Sequence, residues 1–179
     1  TACSPGAYND KVSGTECSVC NMGKYSTLEG SSACTKCPAG SIATKDRTSC
    51  EKCSPGTYNP NVGGTKCTAC DDGTYNPDVG SNACTKCPSG SISTKDHTTC
   101  TKCPPGTYNL TIGASECTLC DTGEFNDEYG ATTCQLCKNG TFNNVKGATE
   151  CNDCAEGYYN NIKGASQCSE CVPGTYSEA

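Results

Sequence analysis

The sequence predicts small disulfide-rich repeats, each containing a β-hairpin, stacked as an elongated solenoid or rod with no large hydrophobic core. Three observations predict this. The chain places 21 cysteines in 179 residues, a density that marks a disulfide scaffold. Those cysteines recur with a fixed period. Large apolar side chains are scarce: there is no Trp, two Phe, one Met, and an apolar fraction of 34% that already includes cysteine. Such a chain cannot offset the entropy of ordering by apolar burial alone, so cross-links must contribute.

The repeat begins with its cysteines. CxxC pairs stand at 17/20, 34/37, 50/53, 67/70, 84/87, 100/103, 117/120, 134/137, 151/154 and 168/171, with Cys3 alone. The period is 17 residues, shortened to 16 at two places. Residues 1–179 therefore read as a tandem array of about ten repeats of 16–17 residues.

Three residues after each opening cysteine comes a glycine: Gly6, Gly23, Gly40, Gly56, Gly73, Gly90, Gly106, Gly123, Gly140, Gly157 and Gly174. Its invariance along the chain predicts a turn with positive φ. Two residues later stands one large apolar side chain, at Tyr8, Tyr25, Ile42, Tyr58, Tyr75, Ile92, Tyr108, Phe125, Phe142, Tyr159 and Tyr176. One aromatic per unit is what so small a unit needs for its own packing, so this stripe reads as packing before it reads as a ligand face.

A second glycine follows ten residues after the cysteine, at Gly30, Gly63, Gly80, Gly113, Gly130, Gly147 and Gly164, with Gly14 displaced by one. It reads as the hairpin turn that returns the chain to the closing cysteine. The two short units, CPAGSIATKDRTSC and CPSGSISTKDHTTC, lack it and carry Ile in place of the aromatic. They lie 50 residues apart, so 3–53 and 53–103 are duplicated three-repeat blocks, and 103–179 holds further repeats with the last one truncated. Both edges fall inside a repeat, which predicts a longer parent array.

Three pairing schemes compete: closure of each unit on itself, bonding inside each CxxC, and cross-linking of adjacent CxxC pairs. Bonding inside a CxxC closes a tiny loop, whereas closing a unit constrains the unfolded chain by roughly 3 kcal/mol. Linking CxxC pairs two by two conflicts with the three-repeat block. These arguments favour Cys3–Cys17, Cys20–Cys34, Cys37–Cys50, Cys53–Cys67, Cys70–Cys84, Cys87–Cys100, Cys103–Cys117, Cys120–Cys134, Cys137–Cys151 and Cys154–Cys168, leaving Cys171 unpaired. Sequence by itself does not decide connectivity. With this pairing each CxxC joins two loops through two residues, and units are expected to stack with each touching only the next.

The unit CPPGTYNLTIGASEC (Cys103 to Cys117) and its neighbours resemble the ephrin-receptor-like cysteine-rich repeat, with its CPxGTY opening, later glycine and closing CxxC. The opening is also similar to the first half of tumour-necrosis-factor-receptor modules, and that resemblance implies a loop closed by its own disulfide. Asp71, Lys138 and Ala155 depart from the usual Pro. The resemblance implies an extracellular module, used in receptor ectodomains, surface proteins of protists and algae, and filaments.

Other chemistry is disfavoured. The net charge of −6 and scattered basic residues exclude nucleic acid. No apolar run reaches the length of a membrane span. A uniform ladder with an odd cysteine and one histidine does not read as zinc, and no CxxC sits in a redox context. His97 fills the slot held by Arg47 in the sister block, so it reads as a solvated surface residue and not as a catalyst. Asp71 with Asp72, and Asp127 with Glu128, read as solvated acids, without EF-hand spacing. No catalytic, metal or cofactor residue is assigned. Asn109 with Thr111 and Asn139 with Thr141 are sequons, read as N-glycan acceptors; Asn82 and Asn152 fit only the rarer form ending in Cys.

Heavy cysteine use predicts an oxidising, extracellular or cell-surface setting. The expected role is a non-enzymatic structural rod, as filament subunit, stalk or surface coat, whose partners are other copies of itself or further repeats. A receptor ectodomain or adhesive antigen that binds a protein ligand is the alternative.

Overall fold

The computed structural model describes residues 1–12 and 14–175. Among them are twenty short strands and no helix, arranged as ten separate two-stranded hairpins. In chain order these are β1 (Ala7–Tyr8) with β2 (Ser18–Val19), β3 (Lys24–Tyr25) with β4 (Thr35–Lys36), and β5 (Ser41–Ala43) with β6 (Cys50–Lys52). Next come β7 (Thr57–Tyr58) with β8 (Thr68–Ala69), β9 (Thr74–Tyr75) with β10 (Thr85–Lys86), and β11 (Ser91–Ser93) with β12 (Cys100–Lys102). The series closes with β13 (Thr107–Tyr108) and β14 (Thr118–Leu119), β15 (Glu124–Phe125) and β16 (Gln135–Leu136), β17 (Thr141–Phe142) and β18 (Asn152–Asp153), and β19 (Tyr158–Tyr159) and β20 (Ser169–Glu170). This is the disulfide-rich hairpin repeat with little hydrophobic core that the sequence predicts.

The local logic is clearest between Cys103 and Cys120. Pro104 to Thr107 form a turn in which Gly106 has φ +79° and the Thr107 N–H donates to the Pro104 carbonyl at 3.1 Å. Pro105 presets the second turn position and glycine supplies the left-handed third one, as a type II turn requires. The chain then runs through β13, reverses, and returns as β14, where Thr107 faces Leu119 and Tyr108 faces Thr118. Thr118 and Leu119 are the two residues between Cys117 and Cys120, so the CxxC dipeptide is itself a strand. The spacing by itself predicts only a two-residue linker there. It pairs because its backbone groups need partners, and the loop just closed offers them.

Ten disulfides close the repeats: Cys3–Cys17, Cys20–Cys34, Cys37–Cys50, Cys53–Cys67, Cys70–Cys84, Cys87–Cys100, Cys103–Cys117, Cys120–Cys134, Cys137–Cys151 and Cys154–Cys168. Cys171 is a free, half-buried thiol. The opening cysteines from Cys3 to Cys137 form the interior, and those at 20, 37, 87, 103, 120 and 137 are wholly buried. Among the described residues, the only buried apolar residue that is not a cysteine is Ala165.

The chain forms two compact units, Thr1–Thr85 with Ser93–Thr99, and Lys86–Ile92 with Cys100–Ala179. In the first, successive repeats are joined by backbone hydrogen bonds such as Gly40 N–H to Asn59 O at 2.7 Å and Gly63 N–H to Cys37 O at 2.7 Å. In the second, Gly106 N–H donates to Asn126 O at 2.7 Å and Gly130 N–H to Cys103 O at 2.8 Å.

One expectation is overturned inside both units: repeats also touch their second neighbours. A Cβ on Gly123 would collide with the carbonyl oxygen of Gly164, which lies two repeats further on, and Gly23 faces Gly63 in the same way. At Gly23 and Gly123 glycine is therefore required twice over, by its positive φ and by a carbonyl standing where a side chain would be. The short repeats preserve the second turn without its glycine, for Arg47 (φ +59°) and His97 (φ +53°) occupy that slot in the left-handed region.

Candidate functional site

The residues that bind one repeat to the next include a row of asparagines six positions after the opening cysteine: Asn9, Asn59, Asn76, Asn109, Asn126, Asn143 and Asn160. Each directly follows the aromatic. Asn59, Asn76, Asn109, Asn126 and Asn143 are buried, Asn143 completely. Asn126 shows the pattern in full. Its Nδ2 donates to the Thr107 carbonyl of the preceding repeat at 2.8 Å and to its own Glu128 carbonyl at 3.0 Å. Its Oδ1 accepts from the Glu128 N–H at 3.0 Å, which fixes the turn. Asn143 repeats all three bonds with Glu124 and Val145. Asn59 Nδ2 reaches Ser41 O and Asn160 Nδ2 reaches Thr141 O, each at 2.8 Å.

Buried amides of this kind are stable only when satisfied, and here each donates to a carbonyl on the first strand of the preceding hairpin. The residue eleven after the opening cysteine is correspondingly small: Gly14, Ser31, Thr48, Gly64, Ser81, Thr98, Ala114, Ala131, Ala148 and Ala165. A Cβ on Gly64 would strike the Asn59 amide, and Ser81 Oγ donates to Asn76 Oδ1 at 2.7 Å. Between the repeats opened by Cys103 and Cys120, two backbone bonds from glycines, one from Asn109 N–H to Ala131 O at 3.1 Å, and the Asn126 side chain make a four-bond seam.

Sequence reasoning did not single out this row. It noticed only Asn109, and for another reason. The surroundings of Asn109 are close: the residue is 4% exposed, its Nδ2 donates to Ser91 O at 3.0 Å, and its Oδ1 accepts from Thr111 N–H at 2.8 Å. It is a structural residue of the seam. Asn139 is exposed, and the hydroxyl of its sequon partner Thr141 donates to Lys138 O at 2.9 Å.

His97 is also less solvated than expected. Its side chain is 17% exposed, with Nε2 3.9 Å from Asp72 Oδ1 and a buried Nδ1 that has no hydrogen-bond partner. Asp46 and Asp96, one residue earlier in their turns, are held ionised below the ordinary carboxylate range, chiefly by the hydroxyls of Thr44 and Thr94, each at 2.6 Å. Asp121 and Lys146 form an exposed ion pair at 2.7 Å. Among the described residues no three His, Cys, Asp or Glu side chains are grouped to hold a metal ion, and no helix is long and apolar enough to cross a membrane. The described aromatics at 8, 25, 58, 75, 108, 125 and 142 are half-buried, Tyr159 is exposed, and Tyr176 lies outside the described residues.

The surface carries a second regularity. Nine residues after the opening cysteine, at the hairpin turn, Val12, Val62, Val79, Ile112 and Tyr129 are all exposed. Beneath the same turns the stems of Lys36, Lys52, Lys86 and Lys102 lie against Gly63, Gly80, Gly113 and Gly130, covering backbone with methylenes while the ammonium stays in water.

No curated protein matches the chain. A family model described as tyrosine-protein kinase ephrin type A/B receptor-like matches it three times, at residues 6–49, 62–99 and 90–137. The matched stretches include glycine turns, aromatic-bearing strands and CxxC pairs of the kind just described, and they cover more than half of the sequence. The chain therefore belongs to the ephrin-receptor-like family of cysteine-rich repeats.

Proposed function

We propose that this chain is a non-enzymatic structural element outside the cell, a stiff spacer that serves as filament subunit, stalk or surface coat. One observation carries the reading. Within each compact unit, successive repeats share a seam of backbone and asparagine hydrogen bonds, and each repeat also abuts its second neighbour. Bending at a junction inside a unit must break buried bonds, each worth about 1 kcal/mol net and more if a partner is stranded. Ten intrachain disulfides suit an oxidising compartment. Electron microscopy of purified arrays with different repeat numbers tests the proposal. Straight particles whose length grows linearly with repeat number are expected, and compact globules or freely jointed beads overturn it.

A second reading, a receptor ectodomain or adhesive antigen, is favoured by the exposed apolar residues at the turns, Val62, Val79, Ile112 and Tyr129. Repeated apolar side chains at one position suit a protein partner better than solvent does. Replacing these four by Ser separates the readings: a spacer keeps its form and its interactions, whereas an adhesive surface loses its ligand.

A further inference from the structure

We infer that the two sequons have opposite fates: Asn139 is the N-glycan acceptor of the described chain, and Asn109 carries no glycan in the folded, secreted protein because of its place in the repeat seam. Both present the same Asn-x-Thr pattern, Asn109-Leu110-Thr111 and Asn139-Gly140-Thr141. Their surroundings differ completely.

N-glycosylation forms a bond from the anomeric carbon of a lipid-linked oligosaccharide to Nδ2 of asparagine. It breaks that carbon's bond to the lipid diphosphate, which leaves, and Nδ2 gives up one proton. The product needs a free path from Nδ2 to solvent. Asn139 has one: it is exposed, two residues after Cys137 at the opening turn, and a Cβ on the next residue, Gly140, would meet nothing within 4 Å. Asn109 does not. Its Nδ2 is committed to Ser91 O, its backbone N–H to Ala131 O and its carbonyl to Gly90 N–H. Ser91 is itself buried. A sugar on Asn109 would push apart the repeats opened by Cys87, Cys103 and Cys120.

Transfer acts on the chain before it folds, so what excludes a glycan at Asn109 is its incompatibility with the native seam. Any chain modified there cannot close the junction and is held back from secretion. The secreted protein therefore carries its glycan at Asn139 alone.

The test is expression of the full chain in a secretory host that performs N-glycosylation, with peptide mapping after enzymatic deglycosylation in heavy-oxygen water. The expected label falls on Asn139 and not on Asn109, and Asn139→Gln removes the only N-glycan while ten disulfides remain. Two further variants divide sequon from seam. Thr111→Ala destroys the sequon but keeps the Asn109 amide and the residue-111 backbone N–H, so secretion does not fall and the glycan mass of the secreted protein stays unchanged. Asn109→Gln removes the same sequon and misplaces the amide, so secretion falls several-fold. A glycan on Asn109 of secreted, oxidised protein overturns the inference, as does an unmodified Asn139.

Discussion

The side-chain amide of Asn126 donates to the main-chain carbonyl of Thr107 at 2.8 Å, nineteen residues back along the chain and one repeat away. The same amide holds its own turn through Glu128. One side chain thus sets both the shape of a repeat and its docking on the previous one.

Asn126→Ala is expected to cost about 1–3 kcal/mol, because it strands the Thr107 carbonyl as well as removing bonds. Asn126→Asp keeps the oxygen that accepts from Glu128 N–H but loses the donor, so the local turn survives while the junction weakens. Hydrogen exchange distinguishes the two: the Glu128 amide remains protected in the Asp variant and opens in the Ala variant.

Gly123 and Gly140 share the same left-handed backbone, both at φ +80°, but only Gly123 faces a carbonyl two repeats away. Gly140→Ala therefore reports the conformational cost alone, about 1–2 kcal/mol. Gly123→Ala adds overpacking against Gly164, about 1–3 kcal/mol more. Equal losses in thermal unfolding would contradict second-neighbour contact.

Replacing Cys120 and Cys134 together by Ser should destabilise the array by about 2–5 kcal/mol. Reductant should unfold the native protein and a chelator should leave it unchanged, which circular dichroism would follow directly.

Asp96 offers a pH test. Its folded pKa is depressed, first by the Thr94 hydroxyl and then by the Thr98 backbone N–H, so the associated stability is present above the unfolded value near 3.9. It is lost as pH falls through the lower folded value. Thr94→Val should raise the Asp96 titration midpoint toward the ordinary carboxylate value, seen by NMR, and Asp46 should remain where it is.

Features that depend on a residue and its near neighbours were open to sequence reasoning. Gly106 three residues after Cys103, repeated eleven times, announced a left-handed turn, and all eleven such glycines have positive φ. The hairpin repeats followed from the same spacing. What escaped was everything that connects one repeat with another. Asn59, Asn76, Asn126 and Asn143 recur at one fixed place in the repeat, yet a polar residue in a polar chain reads as a solvated turn, and the carbonyls they satisfy lie 18 or 19 residues away. The second-neighbour approach was equally hidden, because it depends on the pitch of successive hairpins. Arg47 and His97 misled in the opposite sense: their tolerance of two residue types suggested open solvent, whereas the shared requirement is a left-handed turn.

Closing every loop on itself gives the chain an uneven vulnerability to cutting. A single break between Cys103 and Cys117 leaves both pieces covalently tethered, since the bond bypasses the gap. Between Cys3 and Cys168, only a break in a dipeptide such as Thr118–Leu119 can sever the molecule, and those dipeptides are locked into hairpins. Enzymes that attack extended, accessible peptide will nick this protein far more readily than they shorten it.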